Sequence, residues 1–257
     1  MKIEYSCLTD KGVVREINED SILCKDQIIN MHDHYESEKI AEELLSENIH
    51  YFAVADGMGG HDAGEVASRL TLEKILNNFQ KDAVLYLDNT DKLKQMILSV
   101  HDEINEFADM NNNKGMGTTL VGTIFNNDKF FVFNIGDSRL YIFRDGYLAQ
   151  KTRDHSLAEQ VGGNVPKNYI TSSIGGGYKD ITIDIFDLTG KIKNNDLIII
   201  CSDGLTDFNM DKYYDDIESL ISKNKNDLKK LNCSLLDFAI EHGSADNISV
   251  ISILLKD

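Results

Sequence analysis

Apolar positions along this chain fall into two periods. Runs rich in Val, Ile, Phe and Tyr predict strands: IEYSCL, SILCKDQII, IHYFAVAD, TLVGTIF, KFFVFNI, RLYIF, ITIDIFDL, DLIIICSD and ISVISILL. Turn chemistry joins several of them. Asn126-Asn127-Asp128 separates two apolar runs, and Asp145-Gly146 supplies residues that readily take positive φ. Antiparallel pairing is therefore expected to dominate. Two longer segments carry the helical period, 62–79 and 90–109; in the second, Leu93, Met96, Ile97, Val100, Ile104 and Phe107 form one apolar stripe. Asp62 followed by Glu65 has the form of a capping box, predicting a helix start just after the glycine-rich DGMGG. A second helical pair is expected over 211–221 and 227–242, before a closing strand. Sheets flanked by helices make a layered α+β sandwich. The stretch 30–48 is polar, acidic and helix-prone between two strands, and reads as a surface insertion.

Composition narrows the class. With 257 residues, 42% of them hydrophobic, the chain can bury one large core, and a single domain over 1–257 is expected. A formal net charge of −17 repels polyanions, so neither nucleic acid nor an anionic membrane is an expected partner, and any phosphate must be captured locally. No basic stretch leads into an apolar core at the start, and no segment approaches the roughly 20 apolar residues of a membrane span. The expected location is cytoplasmic. Cys7, Cys24, Cys201 and Cys233 are scattered without CxxC spacing, which predicts reduced structural thiols rather than a zinc site or disulfides.

Chemistry enters at the strand ends. Asp56 in YFAVADGMGG, Asp203 in LIIICSDGLTD and Asp137 in FNIGDSR each sit where an apolar strand runs into a turn; Glu19 and Asp20 open a strand, and Asp246 precedes the last one. A carboxylate at the end of a buried strand is unfavourable unless positive charge compensates it. Basic residues are scarce there apart from Arg15 and Arg139, so bound cations are the simpler solution, and oxygen ligands without His or Cys suit Mg²⁺ or Mn²⁺. Gly57 and Gly204, which follow two of the aspartates, would let backbone carbonyls and waters approach an ion.

Blander readings hold for each feature alone. A single strand-end Asp-Gly is usually a turn, and a lone Arg is usually solvated. His61 and His155 are expected to serve structure rather than catalysis. Ser138 and Ser202 lack a GxSxG setting, so a serine nucleophile is not expected. Gly115 and Gly117 do not complete a dinucleotide fingerprint, and 175–177 reads as a turn.

At these residues the chain resembles the PPM family of metal-dependent protein phosphatases, also called PP2C, in its bacterial branch. Ordered blocks carry the likeness: TDKGVVREINEDS, FAVADGMGGHDAGEVAS, GMGTTLV, NIGDSRLYIF, RDHSL, NYITSSIGG, IIICSDGLTD and SADNISVI. The resemblance implies an α/β/β/α sandwich, two antiparallel sheets between helices, with a two-metal centre at one end. By the same resemblance Asp56 bridges both ions, supported by the Gly57 carbonyl. Asp203 and Asp246 ligate the second ion, and Glu19 and Asp20 hold its waters. Arg15 clamps the substrate phosphate, and Asp137 joins Asp203 at a weaker third site.

The implied reaction is hydrolysis of phosphoserine and phosphothreonine esters by a metal-bridging water or hydroxide, in a monomer opposing a Ser/Thr kinase. Two departures qualify the likeness. Met58 stands where animal relatives have a histidine proposed as the acid, and methionine donates no proton. The 159–169 segment is shorter than the flap of many bacterial members. The rivals are a non-catalytic regulatory module, which the intact acidic set disfavours, and a small-molecule phosphohydrolase.

Overall fold

The computed structural model describes residues 2–30, 34–36, 40–43, 48–59, 63–162, 169–208 and 210–256. The chain opens with β1 (Lys2–Asp10), β2 (Asp20–Cys24), β3 (Gln27–Ile29), β4 (His34–Glu36), β5 (Ile40–Glu43) and β6 (His50–Met58). Helices α1 (Ala63–Asp88) and α2 (Thr90–Met110) follow, then β7 (Gly117–Thr118), β8 (Leu120–Phe125), β9 (Phe130–Ile135), β10 (Arg139–Arg144) and β11 (Tyr147–Gln150). A short α3 (Leu157–Val161) leads to β12 (Ile174–Gly175), β13 (Asp184–Asp187) and β14 (Leu197–Cys201); α4 (Tyr214–Asn224), α5 (Leu228–Glu241) and β15 (Ile248–Lys256) close the chain.

The described strands form two sheets. One runs β11-β10-β14-β15-β1-β4, with β5 also on β1; the other runs β12-β7-β6-β8-β9-β13, with β2 paired to β6 and β3 to β2. Every described pairing is antiparallel, as expected. Strand alternation then sorts the core. On β14, Ile198 and Ile200 face the other sheet, whereas Leu197, Ile199 and Cys201 face the layer of α4 and α5. On β6, Phe52 and Val54 point between the sheets, and Tyr51, Ala53 and Ala55 point to α1 and α2. Each fully buried side chain of this size contributes about 1.5–3 kcal/mol. A core this extensive can therefore hold a few polar groups whose burial costs about 1–3 kcal/mol each.

The strand and helix pattern holds with three corrections. First, α1 runs past residue 79 to Asp88, through a non-helical residue at Asp82 (φ −159°, ψ 62°), because Leu87 returns to the core. The Asn89 side chain then accepts amides of Asp91 and Lys92 to start α2. Asp62 of the expected capping box lies outside the described residues, as does His61.

Second, the helix-prone insertion contains strands. His34–Glu36 pairs with Leu8 to Asp10, and Ile40–Glu43 pairs with Lys2 to Tyr5. The open edge of β1 supplies hydrogen-bond partners, and this tertiary pairing overrides local propensity.

Third, Cys7 and Cys24 are joined in a disulfide between the two sheets, with their Cα atoms 7.0 Å apart, against the expectation of thiols. A separation of 17 residues has no motif spacing, and only the stacking of β1 over β2 brings the pair together. Cys201 remains a buried thiol, its pKa pushed up to about 12 by burial. No described helix is long and apolar enough to cross a membrane.

Candidate active site

Strand register builds the acidic end of the sandwich. Asp20 on β2 lies directly across from Asp56 on β6, two residues beyond the Ile22–Val54 pair that faces the other sheet. Opposed residues in such a ladder have Cβ atoms about 5 Å apart, and like charges there repel. Asp203 follows β14, Asp246 precedes β15, and β14 pairs with β15. Asp137 lies in the β9–β10 connection.

Under the carboxylates the sheets present hydroxyls instead of aliphatic side chains. Ser202 Oγ donates to Asp20 Oδ2 at 2.8 Å, and the Thr9 and Ser249 hydroxyls meet at 2.8 Å. The Asp56 amide donates to Thr119 Oγ1 at 3.0 Å, Thr118 Oγ1 donates to the Asp56 carbonyl at 2.8 Å, and Thr119 meets Ser138 at 2.7 Å. Ser138 and Ser202 are thus bound into this floor, consistent with neither being a nucleophile.

The electrostatics are those of an uncompensated cluster. Burial first, then the charges of Asp20, Asp203, Asp246 and Asp137, hold the Asp56 carboxyl well above its usual range. Burial raises Asp20 to about 7 despite the Ser249 and Ser202 hydroxyls, and Asp246 and Asp203 add repulsion. Burial, with the charges of Asp203 and Asp154, raises Asp137 to about 8. Asp203 reaches about 6 through burial and Asp246, restrained by a hydrogen bond with Asp56. Asp20 Oδ1, Asp137 Oδ1 and Asp203 Oδ1 are buried with no hydrogen-bond partner. Buried carboxylate oxygens without donors fit a hard cation. Among the described residues no three acidic, His or Cys side chains close around one point. An ion here would therefore draw part of its shell from water and backbone oxygens, as magnesium ordinarily does.

The remaining predicted residues occupy distinct places. Arg15 Nη2 contacts Asp246 Oδ2 at 2.6 Å, with 47% and 26% of the two side chains exposed. Arg139 is committed to Asp154 through Nη2 at 2.6 Å and Nε at 3.0 Å. Glu19 packs against the start of α1: a Cβ on Gly64 would lie 2.3 Å from Glu19 Oε1. Gly57 is required by the same junction, since a Cβ there would meet the Gly64 carbonyl at 2.1 Å. A Cβ on Gly204 would meet the Asn247 carbonyl at 2.0 Å. Close backbone packing therefore explains both glycines without reference to an ion. Met58 points away into a glycine slot, its Cε within 2.9 Å of a Cβ built on Gly117 and 3.1 Å of one built on Gly176.

Both ring nitrogens of His155 have partners within the scaffold. Its Nδ1 accepts the Gly136 amide at 3.2 Å and its Nε2 lies 3.2 Å from Asp184 Oδ2. Most of the short 159–169 segment lies outside the described residues.

One residue escaped the sequence reading. Asn247 accepts the Glu19 amide at 2.9 Å and donates to the carbonyls of Lys11 and Ile17, each at 2.9 Å. It ties the Arg15 loop to the start of β15. Its partners are more than 220 residues away, so no local signal announced it; only its place beside Asp246 was visible.

Comparison with known proteins places this arrangement. The model of the protein phosphatase 2C family matches residues 19–161, more than half of the chain. Over 215 residues the chain is 31% identical to the serine/threonine phosphatase Stp of Listeria welshimeri, covering 78% of this chain and 82% of that protein. The chain belongs to the protein phosphatase 2C family. It is a serine/threonine protein phosphatase of the bacterial branch.

Other members of the family are consistent. PstP of Mycobacterium tuberculosis is 27% identical over 97% of this chain and 44% of its own length. The structure of the S. agalactiae serine/threonine phosphatase superposes with a TM-score of 0.79 at 27% identity, covering 99% of this chain and all of that one. The catalytic domain of PstP in complex with two manganese ions superposes with a TM-score of 0.73 at 27% identity, each chain fully covered. The α/β/β/α sandwich of the phosphatase 2C fold is thus the observed architecture.

Proposed function

We propose that this phosphatase acts as one unit over residues 1–257, hydrolysing phosphoserine and phosphothreonine esters of proteins at the acidic end of the sandwich, opposite a Ser/Thr kinase. Two divalent cations, Mn²⁺ or Mg²⁺, would be held by Asp56, Asp203 and Asp246 with the Gly57 carbonyl. Glu19 and Asp20 would hold their waters, and Asp137 would serve a weaker third site. The observation that carries this reading is the trio of buried carboxyl oxygens on Asp20, Asp137 and Asp203 that lack donors. The PstP catalytic domain, with its two manganese ions, supports it. Bound there, such cations lower the pKa of a water and stabilise charge on phosphoryl oxygens.

The protein's own part is arrangement. Arg15 leaves Asp246 and turns its guanidinium fork to two phosphate oxygens, geometry that lysine does not reproduce. Asp20 and Asp137, raised to about 7 and about 8, would release the protons they hold near neutrality as positive charge arrives. Ser202 keeps Asp20 oriented through its 2.8 Å hydrogen bond. Met58 supplies no proton, so the leaving oxygen is protonated by solvent in the cleft.

The test is Mn²⁺-dependent phosphate release from a phosphothreonine peptide and from p-nitrophenyl phosphate, comparing wild type with Asp203→Asn, alongside calorimetric Mn²⁺ titration. Turnover of both substrates and heat of Mn²⁺ binding are expected in the wild type, with turnover cut by about 10²- to 10³-fold and the heat of binding diminished in Asp203→Asn. Failure of the wild type to bind Mn²⁺ or to turn over either substrate would falsify the reading.

A further inference from the structure

The centre itself encodes recognition of a phosphate, not of a polypeptide. What lies beside Arg15 differs in kind. Val13 and Val14 are 66% and 64% exposed, an apolar pair directly preceding the arginine that faces the phosphate in the proposed reaction. Scattered exposed valines are ordinary on protein surfaces. The loop that carries these two is fastened on both flanks.

Gly12 has φ +73°, its amide donates to Asp10 Oδ1 at 2.7 Å, and a Cβ there would meet the Asp246 carbonyl at 2.3 Å. The turn is therefore seated on the backbone of a site residue. Asn247 grips the carbonyls on either side of it, Lys11 and Ile17, each at 2.9 Å. Arg15 adds a 2.6 Å contact to Asp246. A loop fastened at both ends by Asn247, which stays in place when Arg15 turns to the phosphate, presents its apolar tip in advance, so a partner meets it without the entropic cost of ordering a loop.

We infer that Val13 and Val14 form a docking ledge for the polypeptide carrying the phosphate, selecting phosphoresidues with an apolar neighbour on a basic-flanked segment. The inference rests on the phosphatase reading above and names its substrate class. A small ester reaches only Arg15 and the carboxylates, whereas a chain that continues past the phosphoresidue on the Arg15 side meets the ledge. Beside the ledge Glu16 is exposed, an acidic group outside the set proposed to hold cations. With a chain charge of −17, this rim attracts Lys and Arg and repels Asp and Glu.

The experiment compares wild type with Val13→Ser/Val14→Ser, both with Mn²⁺, on four substrates. The first is a phosphothreonine peptide with Leu on both sides of the phosphoresidue and Lys or Arg beyond. The second replaces Leu by Ser, the third replaces the basic residues by Glu, and the fourth is p-nitrophenyl phosphate. Wild type should prefer the first peptide over the second by about tenfold in kcat/KM, carried by KM, the value of partly burying a pair of aliphatic side chains, and over the third through charge attraction. In the double variant the preference over the Ser peptide should shrink below about twofold, with a loss on the first peptide at least about fivefold larger than on p-nitrophenyl phosphate.

The Val13→Thr/Val14→Thr variant, which keeps the shape of both side chains, should lie between the two and controls for folding. A wild type that treats the Leu and Ser peptides alike, or variants that lose peptide and small ester equally, would overturn the ledge while leaving the phosphatase reading intact. A wild type without turnover of any substrate defeats that reading and the ledge together.

Discussion

The two ends of β6, paired with β8 at His50 and with β2 at Asp56, obey opposite rules. At the His50 end, His50 stacks on Phe125 with ring centroids 5.5 Å apart, and Phe125 stacks on Phe130 at 4.7 Å. Six residues on, about 20 Å along the strand, Asp56 faces Asp20 across the ladder with like charges and orphaned oxygens around them. One end lowers the energy of the fold by burying rings. The other raises it by burying carboxyls, which is tolerable only because the aliphatic core between them is continuous. An unfavourable cluster that persists beside such a core marks where binding, rather than folding, supplies the missing interaction.

The comparison can be broken first at the closed end. Phe125→Ala removes the ring shared by both stacks and should destabilise the protein by about 3–5 kcal/mol in denaturant unfolding. Because the site lies a strand's length away, kcat/KM of the folded enzyme should stay within about threefold. A stability loss below about 1 kcal/mol would mean the ring is not part of the tightly packed core.

At the open end the signs reverse. Asp203→Asn should cut turnover by about 10²- to 10³-fold, the range for loss of one preorganised charge-stabilising group. The same change should raise the melting temperature of the chelator-treated protein, because it removes repulsion with Asp56 and Asp246. A lower melting temperature would contradict the repulsive reading of the cluster.

The pH dependence sharpens the contrast further. Asp203, Asp20 and Asp137 have folded pKa values raised to about 6, about 7 and about 8, above the unfolded carboxylate value. Between those limits the folded state binds more protons than the unfolded one, so stability falls as pH rises. Melting curves in chelator should therefore show stability greatest near pH 4 for these groups and declining through pH 8, with Mn²⁺ restoring it at the upper end. Curves that are flat across that window, with Asp137→Asn changing nothing, would show that the carboxyls titrate normally.

The smallest effect is expected at the rim of the closed end. Lys129 pairs with Asp88 at 2.8 Å on an exposed surface, and Lys129→Ala should change stability by no more than about 0.5 kcal/mol. A larger loss would assign the hairpin turn a share in closing that end.

Much of the frame could be read without coordinates. The expected helix at 90–109 is Thr90–Met110, and Asp145-Gly146 takes φ of 52° and 91° at a tight hairpin. Such features depend on a handful of adjacent residues, whose period and turn chemistry are written locally. Even so, the acidic and helix-prone stretch 30–48 became strand where it met the open edge of β1. In the site, the aspartates stood out as carboxylates at strand ends. That Asp56 meets Asp20, that Glu19 turns to α1 and that Arg15 rests on Asp246 did not.

By itself the sequence determined which faces of each strand and helix are buried, where the chain turns, and that acid collects at one set of strand ends, since each follows from residues within a few positions of one another. Only the tertiary structure decided the register setting Asp20 opposite Asp56, the bond between Cys7 and Cys24, and the hold of Asn247 on Lys11 and Ile17. Those pairings join strands and loops through the stacking of two sheets, and no local period specifies the relative placement of segments that meet only after both sheets have formed.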